Sequence, residues 1–302
     1  MKKIGILGLN GRPEITIGLI EQTNDCAISG IYDADTIEGI SIAETTGLNY
    51  TDNPFGLIAK SDLLIVPKTD EYSYNLMVEC ILNSKHLLIE NPENITLSEA
   101  DHLSKLASEA SVSVVPFISN QFNHCLIKVR SYIFNPTFVQ ISYSCSTSNE
   151  ITTERKTGIL LNIIDTSLNL AKANVKRIFA NSVKIIGTQP KVLSIRLEYD
   201  NGCIANISIN YTSKSDEFSI SVYQQNQIVN IDMLKNSATI RTFSDNILTP
   251  EVEEITSSGD ENPYSQILTY LYALETLNTQ VGLMESFKNS LHLLKKIQEK
   301  IQ

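Results

Sequence analysis

Apolar residues come in short dense runs through the first 120 residues and in looser alternation after them. "KKIGILGL", "CAISGIYD", "SDLLIVP", "KHLLIE" and "SVSVVPFIS" each read as a buried strand. Unbroken apolar runs of this kind suit strands covered on both faces. Between them "PEITIGLIEQT", "TIEGISIAETTG", "YSYNLMVECILNS" and "TLSEADHLSKLASEA" follow the helical period. Pro13 sits near the first turn of its helix, where a missing N–H costs nothing. Gly47 can end the second helix, and Thr96 with Glu99 has the spacing of a capping box. This strand–helix alternation predicts an α/β domain over residues 1–120, a Rossmann-like parallel sheet of the dinucleotide-binding type.

From residue 121 the pattern changes to an α+β domain running to residue 302. A helix, "NQFNHCLIKVRSYI", leads into the strand "TFVQISYSCST", and a second helix, "GILLNIIDTSLNLAKA", follows. Then come the strands "VKRIFANSVKI", "KVLSIRLEYD", "CIANISINYT", "EFSISVYQQ", "QIVNIDM" and "SATIRTF". Their alternation predicts a large, mostly antiparallel sheet with one open face. Asp200-Asn201-Gly202 is expected to form a type I′ hairpin turn. "TPEVEEITSSGDENP" reads as a polar loop. "SQILTYLYALETLN" and "MESFKNSLHLLKKIQEK" read as two closing helices.

Composition narrows the function. The formal net charge is −10, so a nucleic-acid backbone is repelled. No run of about 18 apolar residues is present, so no transmembrane helix is expected. The five cysteines, Cys26, Cys80, Cys125, Cys145 and Cys203, form no CxxC pair. That pattern fits reduced thiols in the cytoplasm and offers no zinc site.

The turn after the first strand, "GLNGRP", is a degraded version of the dinucleotide fingerprint G-x-G-x-x-G. Gly8 holds the first position, Asn10 the second and Pro13 the third. Asn tolerates the left-handed conformation, but its side chain stands where a pyrophosphate needs bare backbone. Gly11 relieves part of this. Asp33 ends the second strand, where an acidic residue binds a ribose 2′-hydroxyl and favours NAD over NADP. Asp35 is a second choice for that role.

These residues, together with "KHLLIENPENITLSEADHLSKLA", "ISNQFNH" and "TGILLNIIDTSLNL", resemble the Gfo/Idh/MocA family, the glucose–fructose oxidoreductase and inositol dehydrogenase type. The first segment is similar to the family's GKHVLCEKP stretch, with Lys85, His86, Glu90 and Pro92 matching. The resemblance implies a dinucleotide bound by Gly8, Asn10, Gly11, Asp33, Pro67 and Glu90, and an open sheet that pairs subunits into a homo-oligomer. It also implies a lysine, an aspartate and a histidine that handle a sugar hydroxyl and its proton. The aspartate and histidine are four residues apart, so they share one helix face.

This chain departs from the family at each of those three positions. Asn91 stands for the lysine, Asn162 for the aspartate and Thr166 for the histidine. Gln121 stands where an arginine is usual, and Asn169 where a further aspartate is. Neither Asn nor Thr is a general base near neutral pH. The expectation is a non-catalytic binding or regulatory member of the family. It would take a sugar-like ligand and hold NAD or NADP only weakly. The alternatives are an active NAD-dependent sugar or cyclitol dehydrogenase with relocated acid/base groups, and an assembly partner of an active paralogue. Lys68, His124, Tyr72 and Tyr74 are the candidates for relocated chemistry. Asp165 lies on another face of its helix. His86, His102 and His292 read as structural or surface residues.

Overall fold

The computed structural model describes residues 2–9, 13–67, 69–146, 151–185, 187–244, 247–256, 262–267 and 283–301. The chain forms two compact units, Met1–Ile118 with Asn262–Asn289, and Ser119–Glu261 with Ser290–Gln302. The sequence suggests a single cut near residue 120. Among the described residues, 262–267 and 283–289 fall with the first unit, and the residues from Ser290 onward fall with the second. Asn262 donates its side-chain amide to the Leu19 carbonyl and to Thr23 Oγ1 (3.1 Å).

The first unit is built on five parallel strands, β1 (Lys2–Leu7), β2 (Cys26–Tyr32), β3 (Leu63–Val66), β4 (His86–Ile89) and β5 (Val114–Pro116). Their order in the sheet is β2-β1-β3-β4-β5. β3 is buried at all four residues, as a central strand covered on both faces must be. The helices start where capping chemistry allows. Asp35 accepts from the N–H groups of Ile37 and Glu38 at α2 (Thr36–Thr46), and Gly47 ends it at φ 71°. Asn53 caps α3 (Pro54–Lys60), with Pro54 in its first turn. Asp70 caps α4 (Glu71–Leu82). Thr96 and Glu99 make the anticipated reciprocal capping box on α5 (Leu97–Ala110). α1 (Pro13–Glu21) opens on Pro13.

The second unit holds an eight-stranded sheet. Its strands are β6 (Phe138–Ser146), β7 (Val175–Val183), β8 (Val192–Tyr199), β9 (Ile204–Ser213), β10 (Glu217–Gln224), β11 (Gln227–Asp232), β12 (Ser237–Ser244) and β13 (Ile247–Thr256). They lie in the order β13-β12-β11-β10-β6-β9-β8-β7. All the pairings are antiparallel except β6 with β9. One face is apolar: Val139, Ile141, Leu193, Ile195, Ala205, Ile207, Ile209, Ile220, Val222, Val229 and Ile231 are all buried. Helix α7 (Thr153–Ala171) buries Leu160, Leu161, Ile163 and Ile164. α6 (His124–Val129) buries Cys125, Leu126 and Val129.

Three local readings are corrected. β13 occupies much of the stretch that reads as a polar loop. It is an edge strand paired only with β12, so its residues 251–254 are exposed and carry no apolar alternation. The Asp200–Gly202 connection is a three-residue loop, not a type I′ turn. Only Gly202 has a positive φ (86°), and Tyr199 N–H bonds the Cys203 carbonyl across the loop. Asn201 holds this form by accepting from Cys203 N–H and donating to the Ala171 carbonyl. α3 has no counterpart in the sequence reading, although Asn53-Pro54 is a cap signal. The helix expected over "SQILTYLYALETLN" is described only at residues 265–267, and the rest lies outside the described residues. α8 (Leu283–Ile301) is helical as expected.

Candidate functional site

In the first unit β1 neighbours β2 on one side and β3 on the other, so the chain reverses its direction of winding at β1/β3. Ligands of open α/β sheets bind outside the carboxyl ends of strands at such a point. Gly8 follows β1 and Pro67 follows β3, which puts both at that crevice. Gly8 has φ 91°, and nothing lies within 4 Å of where a Cβ would project. A left-handed, side-chain-free residue with open space beside it is what a pyrophosphate approach requires. Gly8 N–H donates to the Tyr32 carbonyl at 2.7 Å, which ties the turn to the end of β2.

Asp33 sits directly after β2. Its carboxylate accepts Leu9 N–H at 2.6 Å on one oxygen and Asp35 N–H at 2.7 Å on the other. It therefore braces the turn after β1 while keeping lone pairs for a ribose diol. Asp35 caps α2 through one carboxylate oxygen, Oδ1. Tyr50 donates to the Asp33 carbonyl (3.3 Å). Gly8 and Asp33 fit a dinucleotide. Asn10, Gly11 and Lys68 lie outside the described residues.

Glu90 and Asn91 follow β4. The Asn91 side-chain amide donates to the Pro67 carbonyl at 2.6 Å, and the Asn91 carbonyl accepts from Thr69 Oγ1 at 2.7 Å. The residue at the lysine position thus ties the loop after β3 to the loop after β4. The Glu90 carboxylate accepts from the Tyr264 hydroxyl. Tyr264 also lies 3.3 Å from Thr16 Oγ1 and stacks on Phe117 with centroids 6.1 Å apart. Burial raises the Glu90 carboxyl above the ordinary glutamate range, and hydrogen bonds from Tyr264 and Thr16 work against that shift.

In the second unit Asn162 and Thr166 share a face of α7, as their spacing requires. Asn162 Nδ2 donates to the Gly158 carbonyl (3.1 Å), and Thr166 Oγ1 donates to the Asn162 carbonyl (2.7 Å). Asn120, in the 3₁₀ turn Ser119–Phe122, donates to Thr166 Oγ1 at 3.0 Å. Asn162 Oδ1 accepts from Ser119 Oγ at 3.0 Å and from Asn120 N–H at 3.3 Å. Both side chains are consumed by their own helix and by the neighbouring turn.

One residue from Thr166, Asp165 is fully buried. It accepts from Gln121 Nε2 (2.7 Å), Asn169 Nδ2 (2.8 Å) and Ser290 Oγ (3.0 Å). Burial lowers the Arg130 pKa, and the nearby Asp165 carboxylate works against that shift. The unusual Gln121 and Asn169 are thus donors to one buried carboxylate.

His86 Nδ1 accepts Ser113 N–H (3.1 Å), and His102 Nδ1 lies 2.6 Å from Tyr74 OH. Tyr72 OH lies 2.6 Å from Tyr32 OH. Burial, and then Lys128, lower the His124 pKa. Among the described residues no group of three His, Cys, Asp or Glu side chains could hold a metal ion. No described helix is long and apolar enough to cross a membrane. Sequence reasoning did not find Asn120 or Tyr264. Their partners lie 46 and 174 residues away, at spacings no local pattern encodes.

Comparison with known proteins fits this geometry. Residues 2–117 match the family model GFO_IDH_MocA, described as "Oxidoreductase family, NAD-binding Rossmann fold". Over 112 residues the chain is 30% identical to glucose-6-phosphate 3-dehydrogenase of Bacillus subtilis, covering 37% of this chain and 32% of that protein. That match spans about a third of the relative's length. Among solved structures, UDP-N-acetylglucosamine 3-dehydrogenase GnnA from Acidithiobacillus ferrooxidans is similar with a TM-score of 0.88 at 14% identity, over 99% of this chain and 97% of that one. A dehydrogenase (MviM) from Clostridium difficile is similar with a TM-score of 0.85 at 15% identity, over 99% of both chains. At these identities the structural likeness is one of fold.

Proposed function

We propose, for a chain that belongs through its NAD-binding Rossmann domain to the Gfo/Idh/MocA oxidoreductase family, that it is a non-catalytic binding or regulatory member. The observation that carries this reading is the engagement of Asn91. Its amide is spent on the Pro67 carbonyl, at the position where the family's resemblance places a proton-handling lysine. Asn162 and Thr166 add to it, since both are bonded to helix backbone and neither ionises near neutral pH.

A nicotinamide cofactor, when bound, supplies a hydride acceptor. The chain's own part would be to hold it: Gly8 gives the pyrophosphate an open approach, and the Asp33 carboxylate receives the ribose hydroxyls. A carboxylate there repels a 2′-phosphate, so NAD is favoured over NADP. Asn10 and Pro13 in the turn make the binding weak. A sugar-like ligand is the second expected occupant.

The test has two arms. Titration with NAD and NADP reads binding, and anaerobic absorbance assays on sugars and cyclitols read turnover. Measurable binding of NAD without turnover supports the reading. Steady turnover in the unmodified protein sinks it.

A second reading, an active dehydrogenase with relocated acid/base groups, is favoured by Glu90. It directly precedes Asn91, and burial raises its pKa toward the range a base at neutral pH needs. Turnover abolished by Glu90→Gln would select it. We also propose self-association through the open face of the second sheet. That face carries Ser142, Ser194 and Ser208 in adjacent register, with the exposed apolar Phe179, Val183 and Tyr223 elsewhere on it. A strict monomer by light scattering at micromolar concentration removes both this proposal and an assembly role that depends on it.

A further inference from the structure

Tyr211 ends the apolar alternation of β9 and is 2% exposed, yet its hydroxyl has no hydrogen-bond partner among the described residues. A buried hydroxyl left unpaired is destabilising. Its surroundings are polar. Tyr143 and Cys145 of the parallel neighbour β6 are two residues apart and so share a face, and Cys145 is near enough to act electrostatically on Tyr143. Tyr143 pairs with Ile209, two residues before Tyr211. The Lys156 ammonium, in the first turns of α7, lies 5.5 Å from the centre of the Tyr211 ring. Arg155 is near enough to act electrostatically on Tyr143 and Cys145. Asp216 is also close and keeps its negative charge while accepting Ser146 N–H at 2.7 Å, so it opposes the two cations.

The balance is one of donors. Burial raises the Tyr211 phenol far above the neutral range, so it stays protonated and can donate. Two cations stand at the positive end of a 19-residue helix. We propose that Tyr211 and Lys156 form a subsite for the anionic group, phosphate or carboxylate, of a small-molecule ligand, built entirely within the second unit. This rests on the reading of the chain as a ligand-binding protein and adds the charge of the ligand.

The test is calorimetric titration of the whole chain without dinucleotide, using glucose 6-phosphate, glucuronate and glucose. One or both anions should bind while glucose does not, and the pair of anions separates a phosphate ester from a carboxylate source. Tyr211→Phe should weaken that binding at least tenfold. It should also melt no lower than the unmodified protein, because the lost hydroxyl had no partner to lose. Lys156→Gln should weaken binding and flatten its salt dependence. Absence of binding by both anions, equal binding of glucose, binding that survives Tyr211→Phe, or a lower melting temperature in that variant each overturns the subsite. Dinucleotide binding that persists while both anions fail rejects the subsite and leaves the wider reading intact. Turnover in the unmodified protein does the reverse.

Discussion

Asn91 donates its side-chain amide to the carbonyl of Pro67 at 2.6 Å, joining the ends of two neighbouring parallel strands. A lysine cannot reproduce that bond in the same place, because its ammonium lies two bonds further out. Asn91→Ala should lower stability by about 1 kcal/mol, the net worth of one such bond. Chemical denaturation reads this directly. The triple variant Asn91→Lys, Asn162→Asp, Thr166→His supplies the ionisable set that the family resemblance implies. A general base contributes about 10²–10⁴ in rate, so turnover should appear in the triple variant and not in Asn91→Lys alone. Turnover in the unmodified protein that is insensitive to Asn91→Ala would count against the whole account.

Gly8 has φ 91° and open space at its Cβ position, so a side chain there meets backbone strain and no neighbour. Gly8→Ala should cost about 1–2 kcal/mol from the left-handed conformation alone. It should also weaken NAD binding, because a methyl group would stand in the open approach. Equal melting temperatures for the two proteins would show that the turn readily adopts another conformation.

Asp33 holds Leu9 N–H and Asp35 N–H with its two oxygens. Asp33→Ala should therefore weaken NAD binding and erode the preference over NADP, since the repelling charge is gone. Paired titrations of the two dinucleotides give the ratio. A ratio that does not move removes Asp33 from the ribose site.

Burial raises the folded-state pKa of Glu90 above its ordinary value of 4.5. The folded protein then keeps a proton that the unfolded chain has released. Stability from this group is fully present below 4.5 and is lost as pH rises through the raised value. Glu90→Gln removes the ionisation, so its melting temperature relative to the unmodified protein should climb across that window and then level off. A difference that stays flat with pH would mean that Tyr264 and Thr16 fully offset the burial.

Asp165 gathers Gln121, Asn169 and Ser290 around one fully buried carboxylate. Asp165→Ala removes the acceptor shared by these side chains, and each buried donor left unpaired costs about 1–3 kcal/mol. A loss above about 3 kcal/mol is expected in urea, with a smaller loss for Asp165→Asn, which keeps one acceptor. A mild effect of the alanine variant would place water among these donors.

Much of the architecture was legible in the order of residues because it depends on local chemistry. Apolar runs marked the five parallel strands, and Thr96 with Glu99 and Gly47 marked helix ends, since caps and periods act over a few residues. That Asn91, Asn162 and Thr166 offer no general base was equally plain, because residue identity alone decides what can carry a proton. β13 escaped, because an exposed edge strand buries neither face and leaves no apolar alternation. What each polar side chain does was settled only by folding. Asp33 braces a turn, Asn91 bridges two loops, Glu90 meets Tyr264 and Asp165 collects three donors through contacts between segments far apart in the chain. A hydrogen bond is fixed by distance and angle in space, and the tertiary structure alone brings those atoms within reach.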